Sequence, residues 1–537
     1  MRRHFLLLIC LSVVASVLGQ QHTPEGILED VEFLIKKERK HLLPEASRFF
    51  EAAPTKPLPA ASPQSLEYNL PDLFPEFDTL SREVKILRAK QDIVTKLRGN
   101  YVKSGYGNFY TPFFEGFLSN KHYPRYVYGL RIKHLSTGKD TYGEENHNLM
   151  QLHGKLFTDT LRLGGNIGYH RDQYQLYNFG RSKAIQTLHQ VAVCKTLSNY
   201  IHGTFNYQVD ASLHYLSDAY QAREKQWQFN GRGDYELSDT LILETCTDLC
   251  LTKHSDTTTV YRNLWRFKPT LSFKLNKFDV QGGFNLVCQD DTSYAPNHLH
   301  TYPVLEVKYA LYKWLQPYLG VGGDMQQNFL QGFLQENPLL ASEVDLRHTN
   351  QYLTCYGGVK GDLAAQVNWH VGFFVGNYQN FHCLVNNAQD PGRFEVQYAP
   401  KATLCNIFGE LIYANQVETL TTRLRGDYFH YTLQELLKPW HRPHYQLDLT
   451  STYRLHDKLV FRGAMSWMGG IAAQCVHTKA PVGLDDVVDV DLGMEYLWDA
   501  RFSVFCDFKN LLGSKNERYL CYPTRGFHCM LGLTYAW

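Results

Sequence analysis

The sequence has 537 residues and a formal net charge of +1, and 44% of its residues are hydrophobic. The near-neutral charge gives no indication of binding to nucleic acid. Aromatic residues make up 14% of the chain, with 35 Tyr and 31 Phe, and this content favours a membrane β-barrel, in which aromatic girdles lie at both interfaces.

The N-terminus predicts export from the cytoplasm. Arg2 and Arg3 precede an apolar run from Phe5 to Leu18, and Gly19 suits cleavage before Gln20, so residues 1–19 are predicted to be a secretory signal peptide. The alternative is a retained signal anchor, but the run is shorter than the roughly 20 apolar residues that a spanning helix needs. No comparable run follows, so the mature protein is expected either to be secreted or to cross a membrane as strands.

Residues 20–99 form a separate N-terminal segment by composition. A charged stretch with a helical pattern, Ile27 to Leu43, precedes a Pro/Ala-rich stretch, Ala53 to Pro63, and polar sequence continues to Arg98. We predict a short periplasmic segment here, followed by a domain of residues 100–537.

Strict alternation of apolar and polar residues is the main structural signal in residues 100–537. It extends over Ile201–Tyr215, Trp265–Leu275 and Tyr445–Leu455. A strand of a soluble sandwich would alternate in the same way, but over about five or six residues. These longer strands favour a membrane barrel whose polar faces line the lumen. The lumen-facing candidates are His202, Asn206, Asp210, His214, Arg266, Lys268, Asp448 and Arg454.

The connections predict the topology. Tight turns are expected at residues 158–160, 276–278, 456–458 and 497–500, and long polar loops at 335–349, 383–399 and 475–486. Short turns at the periplasmic end and long loops at the outer end are typical of outer-membrane barrels. About 21 amphipathic segments follow Phe109, and an even count requires one more at Tyr101–Gly107. We therefore predict an all-β, antiparallel transmembrane barrel of about 22 strands, with a range of 20 to 24.

The C-terminal strand is predicted to close this barrel. Leu531, Leu533, Tyr535 and Trp537 share one apolar face that reaches the carboxylate. A barrel removes the exposed edge of such a strand by pairing it with the first strand.

The end of the chain resembles the final hairpin of TonB-dependent outer-membrane receptors. The resemblance covers about 30 residues and is carried by Phe508–Gly513, Tyr519, Tyr522-Pro523, Arg525-Gly526 and Gly532–Trp537. It implies a location in the bacterial outer membrane, surrounded by outer-membrane lipid. It also implies that Tyr535 and Trp537 belong to the signal that the barrel-assembly machinery reads.

The sequence departs from this family at its N-terminus. The receptors carry a plug domain of well over a hundred residues, whereas only residues 20–99 are available here, so a conventional plug is not expected. A lumen of this width is normally filled. Three possibilities remain: the segment, or inward-folded extracellular loops, obstructs the lumen; the segment binds a periplasmic or lipoprotein partner; or it is a disordered linker.

The remaining residues give no catalytic or metal-binding motif. Eleven cysteines follow the signal peptide without CxxC or HxxxH spacing, so neither a metal nor a cofactor is predicted. An outer-membrane enzyme is the rival class, but no motif singles out a catalytic group, and we predict a protein that is not an enzyme. The expected function is solute uptake or exchange across the outer membrane. The alternative is a structural or assembly component of an envelope complex.

Overall fold

The computed structural model describes residues 99–537, apart from 121–124, 139–142, 176–184, 200–202, 292–297, 313, 416, 418 and 457. The predicted signal peptide, nearly all of the predicted N-terminal segment, and His202 lie outside the described residues. Within them, the regular secondary structure is almost entirely β-strand.

Twenty-two of the described strands form a closed antiparallel ring, which confirms the predicted fold and strand number. The ring closes where the first strand pairs with the last, from Tyr101 opposite Ala536 to Gly107 opposite Met530. Five shorter strands lie outside the ring pattern: β10 extends the pairing of β9, and two hairpins, β21–β22 and β25–β26, lie in loops.

In chain order the strands of the first half are β1 (Tyr101–Gly107), β2 (Thr111–Ser119), β3 (Tyr126–Thr137), β4 (Glu145–Phe157), β5 (Leu161–Gln175), β6 (Ile185–Asn199), β7 (Phe205–Ser217), β8 (Arg223–Ser238), β9 (Leu241–Ser255), β10 (Thr259–Tyr261), β11 (Leu264–Leu275), β12 (Phe278–Gln289), β13 (Leu299–Tyr309) and β14 (Gln316–Gln326). The second half contains β15 (Thr349–Ala364), β16 (Val367–Asn386), β17 (Phe394–Ala414), β18 (Leu420–Leu433), β19 (Tyr445–Leu455), β20 (Leu459–Gly469), β21 (Ala472–Gln474), β22 (Pro481–Gly483), β23 (Val487–Leu497), β24 (Phe502–Lys509), β25 (Glu517–Tyr519), β26 (Tyr522–Pro523) and β27 (His528–Ala536).

The two faces of the strands differ as a membrane barrel requires. On β27, Leu531 and Leu533 are each 58% exposed and point outward. On the neighbouring β24, Phe505 is 1% exposed and lies on the opposite face, over Gly532 of β27 and Gly105 of β1. A side chain on either glycine would collide with this ring, so the closing seam is packed tightly on its inner side.

The two ends of the barrel also differ. At one end, called here the short-turn end, tight turns join the strands at residues 158–160, 239–240, 276–277 and 365–366. The start of the first strand and the end of the last strand meet there, because the N–H of Trp537 donates to the carbonyl of Asn100 at 3.0 Å. The long loops lie at the other end, called the long-loop end, as predicted. The predicted loop at 383–399 is wrong in extent, because β16 continues to Asn386 and β17 begins at Phe394.

The described residues include one helix, α1 (Leu330–Glu336), in the connection between β14 and β15. No helix in the described part of the chain is long and apolar enough to span a membrane. The largest buried apolar cluster also lies around this connection, at the long-loop end.

Candidate functional site

Residues 327–348, which we call the crossing loop, join β14 to β15 and extend across the barrel at its long-loop end. On one side, the Gln331 Nε2 donates to Gln190 Oε1 of β6 at 3.1 Å. On the other, Glu336 Oε2 lies 3.0 Å from His382 Nε2 of β16. Because β6 and β16 lie on nearly opposite sides of the ring, one loop bridges the lumen.

The sequence of the crossing loop explains why a helix forms at its centre. Leu330, Phe333 and Leu334 recur at a spacing of three and four residues, which places them on one helical face. All three are nearly fully buried, and they pack with residues from both walls of the barrel. The wall residues of this cluster are Leu188 and Leu216 on β6 and β7, and Leu384 and Phe394 on β16 and β17. An apolar core therefore extends from wall to wall.

A buried ion pair fixes the start of the helix. The carboxylate of Glu224, at the start of β8, accepts the N–H of Leu330 at 3.0 Å and lies 3.5 Å from Arg262 Nη2. The side chains of Glu224 and Arg262 are 0% and 1% exposed. Removing one partner of such a pair leaves a buried charge without compensation, so this contact is a firm anchor.

The base of the crossing loop is closed by Asn328. Its Nδ2 donates to the carbonyl of Arg347 at 2.8 Å and to Thr349 Oγ1 at 2.9 Å, while its carbonyl accepts from Arg262 Nη1 at 2.7 Å. The two ends of the loop are therefore held close together beside the β14–β15 wall.

A second polar contact holds the end of the helix. Glu336 contacts His382, and Arg442 approaches both residues through Nη2, which lies 3.8 Å from Glu336 Oε1 and donates to the His382 carbonyl at 2.9 Å. Burial alone would raise the pKa of Glu336, but the hydrogen bond with His382 and the charge of Arg442 outweigh it and lower that pKa below its usual value. We call Glu336, His382 and Arg442 the latch.

After the helix, the crossing loop adds a short pairing to the wall. The N–H of Ala341 donates to the carbonyl of Phe394 at 2.8 Å, and the N–H of Phe394 donates to the carbonyl of Leu339 at 3.0 Å. Further on, the N–H of Arg347 donates to the hydroxyl of Tyr398 at 3.1 Å, and its guanidinium lies 4.8 Å from that ring. The second half of the loop is thus held along β17.

Residues 434–444 cover the opposite face of β16. Cys383 and Val385 pack there with Trp440, whereas Leu384 between them belongs to the cluster inside the barrel. His441 fixes this cover, because its Nδ1 donates to the carbonyl of Leu384 at 2.8 Å and its Nε2 accepts the N–H of Leu520 at 3.3 Å. Burial lowers the pKa of His441 to about 4, which agrees with a neutral ring.

Residues 434–444 and residues 510–527 are together called the cap. Residues 510–527 also contain part of the receptor-like motif. Asn510 has a φ of +47°, and its Nδ2 donates to the carbonyls of Ser514 and Arg525 at 2.8 and 2.7 Å. From this loop the Tyr519 hydroxyl donates to the carbonyl of Glu336 at 2.8 Å. The motif residue Asn510 therefore holds a loop that touches the crossing loop.

Two polar cavities lie along the barrel wall. One, of about 170 Å³, lies beside the crossing loop and includes Gln151, Asn166, His170, Gln190, His214 and Gln331 in its lining. The other, of about 360 Å³, lies towards the short-turn end and includes Lys360, Asp362, Asn368, His370 and Glu410. The larger cavity offers charged groups of both signs, whereas the smaller one offers amide and imidazole groups. No group of three or more His, Cys, Asp or Glu residues in the described part of the chain is placed to hold a metal ion.

The predicted lumen-facing residues fall into three groups in the described structure. On β7, Asp210 accepts from Thr196 Oγ1 at 2.6 Å, His214 lies in the smaller cavity, and Asn206 donates to the carbonyl of Gly203 at 3.0 Å. These three alternate with Phe205 and Val209, which are exposed on the other face.

On β11, Arg266 contacts Asp324 of β14 at 2.8 Å and Asp248 of β9 at 3.2 Å, and Lys268 follows two residues later on the same face. On β19, Asp448 is paired with Arg425 in the register and accepts from Gln446 at 2.7 Å, and Arg454 shares its face. The structure does not bring these seven described residues into one site. At the closing seam, the rings of Tyr535 and Trp537 stack at 5.6 Å.

The residues that hold the crossing loop were not predicted from the sequence. Glu224, Arg262, Glu336, His382 and Arg442 are far apart in the chain and form no motif. Two local signals were available: the helical spacing of Leu330, Phe333 and Leu334, and the apolar run Cys383-Leu384-Val385, which breaks the strand alternation. An apolar run inside an alternating strand indicates burial on both faces.

Comparison with known proteins agrees with this architecture. No family model and no curated protein matches the sequence. Among solved structures, the chain resembles the siderophore receptor PirA from Acinetobacter baumannii, with a TM-score of 0.62, 11% identity, and coverage of 82% of this chain and 80% of that one. The chain shares the closed 22-stranded barrel fold of this structure.

Two further structures show the same likeness. The FrpB iron transporter from Neisseria meningitidis matches with a TM-score of 0.64 and 9% identity, covering 83% of this chain and 82% of that one. The ferric-catecholate import receptor Fiu from Escherichia coli K12 matches with a TM-score of 0.63 and 10% identity, covering 82% of each chain. The predicted resemblance to receptor barrels is thus confirmed for the fold. Whether a plug is lacking concerns residues outside the described ones.

Proposed function

We propose that this barrel takes up or exchanges a solute across the bacterial outer membrane. The observation that carries the proposal is the closed 22-stranded ring, a fold shared with a siderophore receptor and an iron transporter. A ring of this size encloses a wide lumen. The hydrogen-bonding side chains that line the two wall cavities suit a hydrophilic solute.

Several predicted features belong to this proposal. Asn206, Asp210, His214, Arg266, Lys268, Asp448 and Arg454, together with His202, would line the path of the solute. Tyr535 and Trp537 would be read by the barrel-assembly machinery when the chain is inserted. Residues 20–99 would bind a periplasmic or lipoprotein partner, and the strand that continues from them begins at the short-turn end of the barrel.

Deletion of the gene from its own bacterium tests the proposed uptake. Spent medium from the parent, the deletion strain and a complemented strain would be compared by mass spectrometry. Uptake predicts at least one solute that the deletion strain no longer depletes and that complementation restores. An unchanged solute profile together with a leaky outer membrane would instead favour the alternative, a component of an envelope complex.

A pull-down with residues 20–99 tests the partner separately. The segment, immobilised through its C-terminus, would be exposed to solubilised envelope. Enrichment of one periplasmic protein or lipoprotein over a sequence-scrambled control supports the proposal, and recovery of no envelope protein counts against it.

A further inference from the structure

We propose that the crossing loop is a built-in gate, which closes the lumen at the long-loop end and opens by release of the latch. The gate deepens the proposed function, because closure matters to a barrel through which a solute passes. The closed state itself is testable without knowing the solute.

Two polar contacts and one buried apolar cluster make the loop an obstruction of the lumen. Gln331 and Glu336 reach opposite walls, at Gln190 and His382, and these wall residues lie four or five residues in from the strand ends. Between them, Leu330, Phe333 and Leu334 are 1%, 3% and 4% exposed within the cluster that joins the two walls. An apolar core with side chains packed this closely excludes water from the region that it occupies.

The polar contacts at the two ends of the helix differ in exposure, and this difference sets where the loop opens. At the start of the helix, Glu224 and Arg262 are 0% and 1% exposed, whereas in the latch Glu336 and Arg442 are 33% and 23% exposed. Water competes more effectively for a partly exposed ion pair, so the latch is the weaker attachment. Asn328 also ties the loop base beside Thr349. The loop would therefore release first at Glu336, between its anchored start and the second half that is held along β17.

The chain contains thiols that report on this closure. Cys194 lies on the same face of β6 as Gln190, four residues nearer to the short-turn end, which is about 13 Å along the strand from Gln190. Cys475 lies in the loop between β20 and β23 at the long-loop end, and hydrogen bonds from Thr478 lower the pKa of its thiol. A reagent arriving from outside should therefore reach the partly exposed Cys475 without passing the gate, and Cys194 only through it.

The test labels whole cells that display the full-length protein with a polyethylene-glycol maleimide too large for general porins. Peptide mapping then gives the rates at Cys194 and Cys475, with Cys475 as the internal standard. In the first variant a short Gly-Ser linker replaces residues 330–346, which the proximity of Asn328 to Arg347 allows. The second pair is Glu336→Gln and its matched control Glu343→Gln, on the same loop, where Glu343 contacts Asp256 through its backbone N–H.

The gate predicts that Cys194 is protected in the parent and is labelled at least about tenfold faster in the linker variant, with a smaller increase for Glu336→Gln and none for Glu343→Gln. Cys194 labelled as fast as Cys475 in the parent would overturn the proposal. So would protection that persists in a folded linker variant, since another part of the chain would then close the barrel. If the linker variant does not fold, equal labelling rates of Cys194 in the two glutamine variants would show that the latch does not hold the gate closed. A gate demonstrated in this way would stand even if no solute uptake were found.

Discussion

Asn510 shows how one residue of the receptor-like motif is used. The Asn adopts a left-handed backbone conformation, which Asn tolerates better than most residues, and its side-chain amide donates to two carbonyls of the same loop. The sequence resemblance identified the motif, but only the structure assigns it this task.

Asn510→Ala should therefore loosen residues 510–527 without opening the barrel. Loss of two hydrogen bonds and of a favourable αL residue is expected to lower the local stability by about 2 kcal/mol. Faster amide exchange confined to this loop, measured by mass spectrometry, would show it. Asn510→Gly keeps the backbone conformation without the amide and should recover part of the loss; an unchanged exchange rate in Asn510→Ala would contradict the assigned role.

His441 makes the cap sensitive to acid. Burial lowers its pKa to about 4, against an unfolded value near 6.5, so the opened state binds more protons in the window between these values. Stability is then fully present above about pH 6.5 and falls as the pH drops towards 4. At pH 5 the loss is about 2 kcal/mol.

The N–H of Leu520, which donates to His441, is the probe for this effect. Its exchange, corrected for the intrinsic pH dependence, should be faster at pH 5 than at pH 7.5. His441→Gln should reduce this difference but not abolish it, because burial also lowers the pKa of His348 in the crossing loop, to about 3. An equal pH effect in the parent and in His441→Gln would exclude His441 as its source.

At the scale of elements, strands were more predictable than loops. Tyr445–Leu455 has the bounds that alternation predicted, because a strand with one lipid face and one polar face must alternate. Alternation ends the predicted β16 before Cys383, whereas the strand continues to Asn386, because its last residues are covered on both faces and do not alternate. The contacts of the crossing loop, such as Glu224 to Leu330, join positions 106 residues apart and leave no local pattern.

The helix of the crossing loop should depend on its apolar face. Phe333 is 3% exposed between the two walls, and Phe333→Ala is expected to destabilise the loop by about 3 to 5 kcal/mol through lost packing and a cavity. Gln331→Ala, two residues earlier on the polar side of the helix, should cost about 1 kcal/mol. Limited proteolysis of the folded barrel would show cleavage within residues 327–348 for the first variant; resistance equal to that of the parent would mean that Phe333 does not hold the loop.

At the scale of the molecule, closure of the ring depends on its glycine-lined seam. A Cβ on Gly532 would lie 2.3 Å from the backbone oxygen of Ser104 and from the ring of Phe505, so Gly532→Val should prevent β27 from pairing with β1. Gly463 of β20 has no neighbouring atom within 4 Å of the same position, which makes Gly463→Val the matched control. Heat-modifiable migration on SDS gels measures assembly, and equal assembly of the two variants would show that the seam tolerates a side chain.

We expect the loops at the long-loop end to close this barrel without help from the N-terminal segment. Planar-bilayer conductance tests this with a protein that lacks residues 20–98 but keeps the complete ring and the crossing loop. Its conductance should stay as low as that of the full-length protein. A steady open channel on removal of the segment would contradict it and would place the obstruction in the N-terminal segment instead.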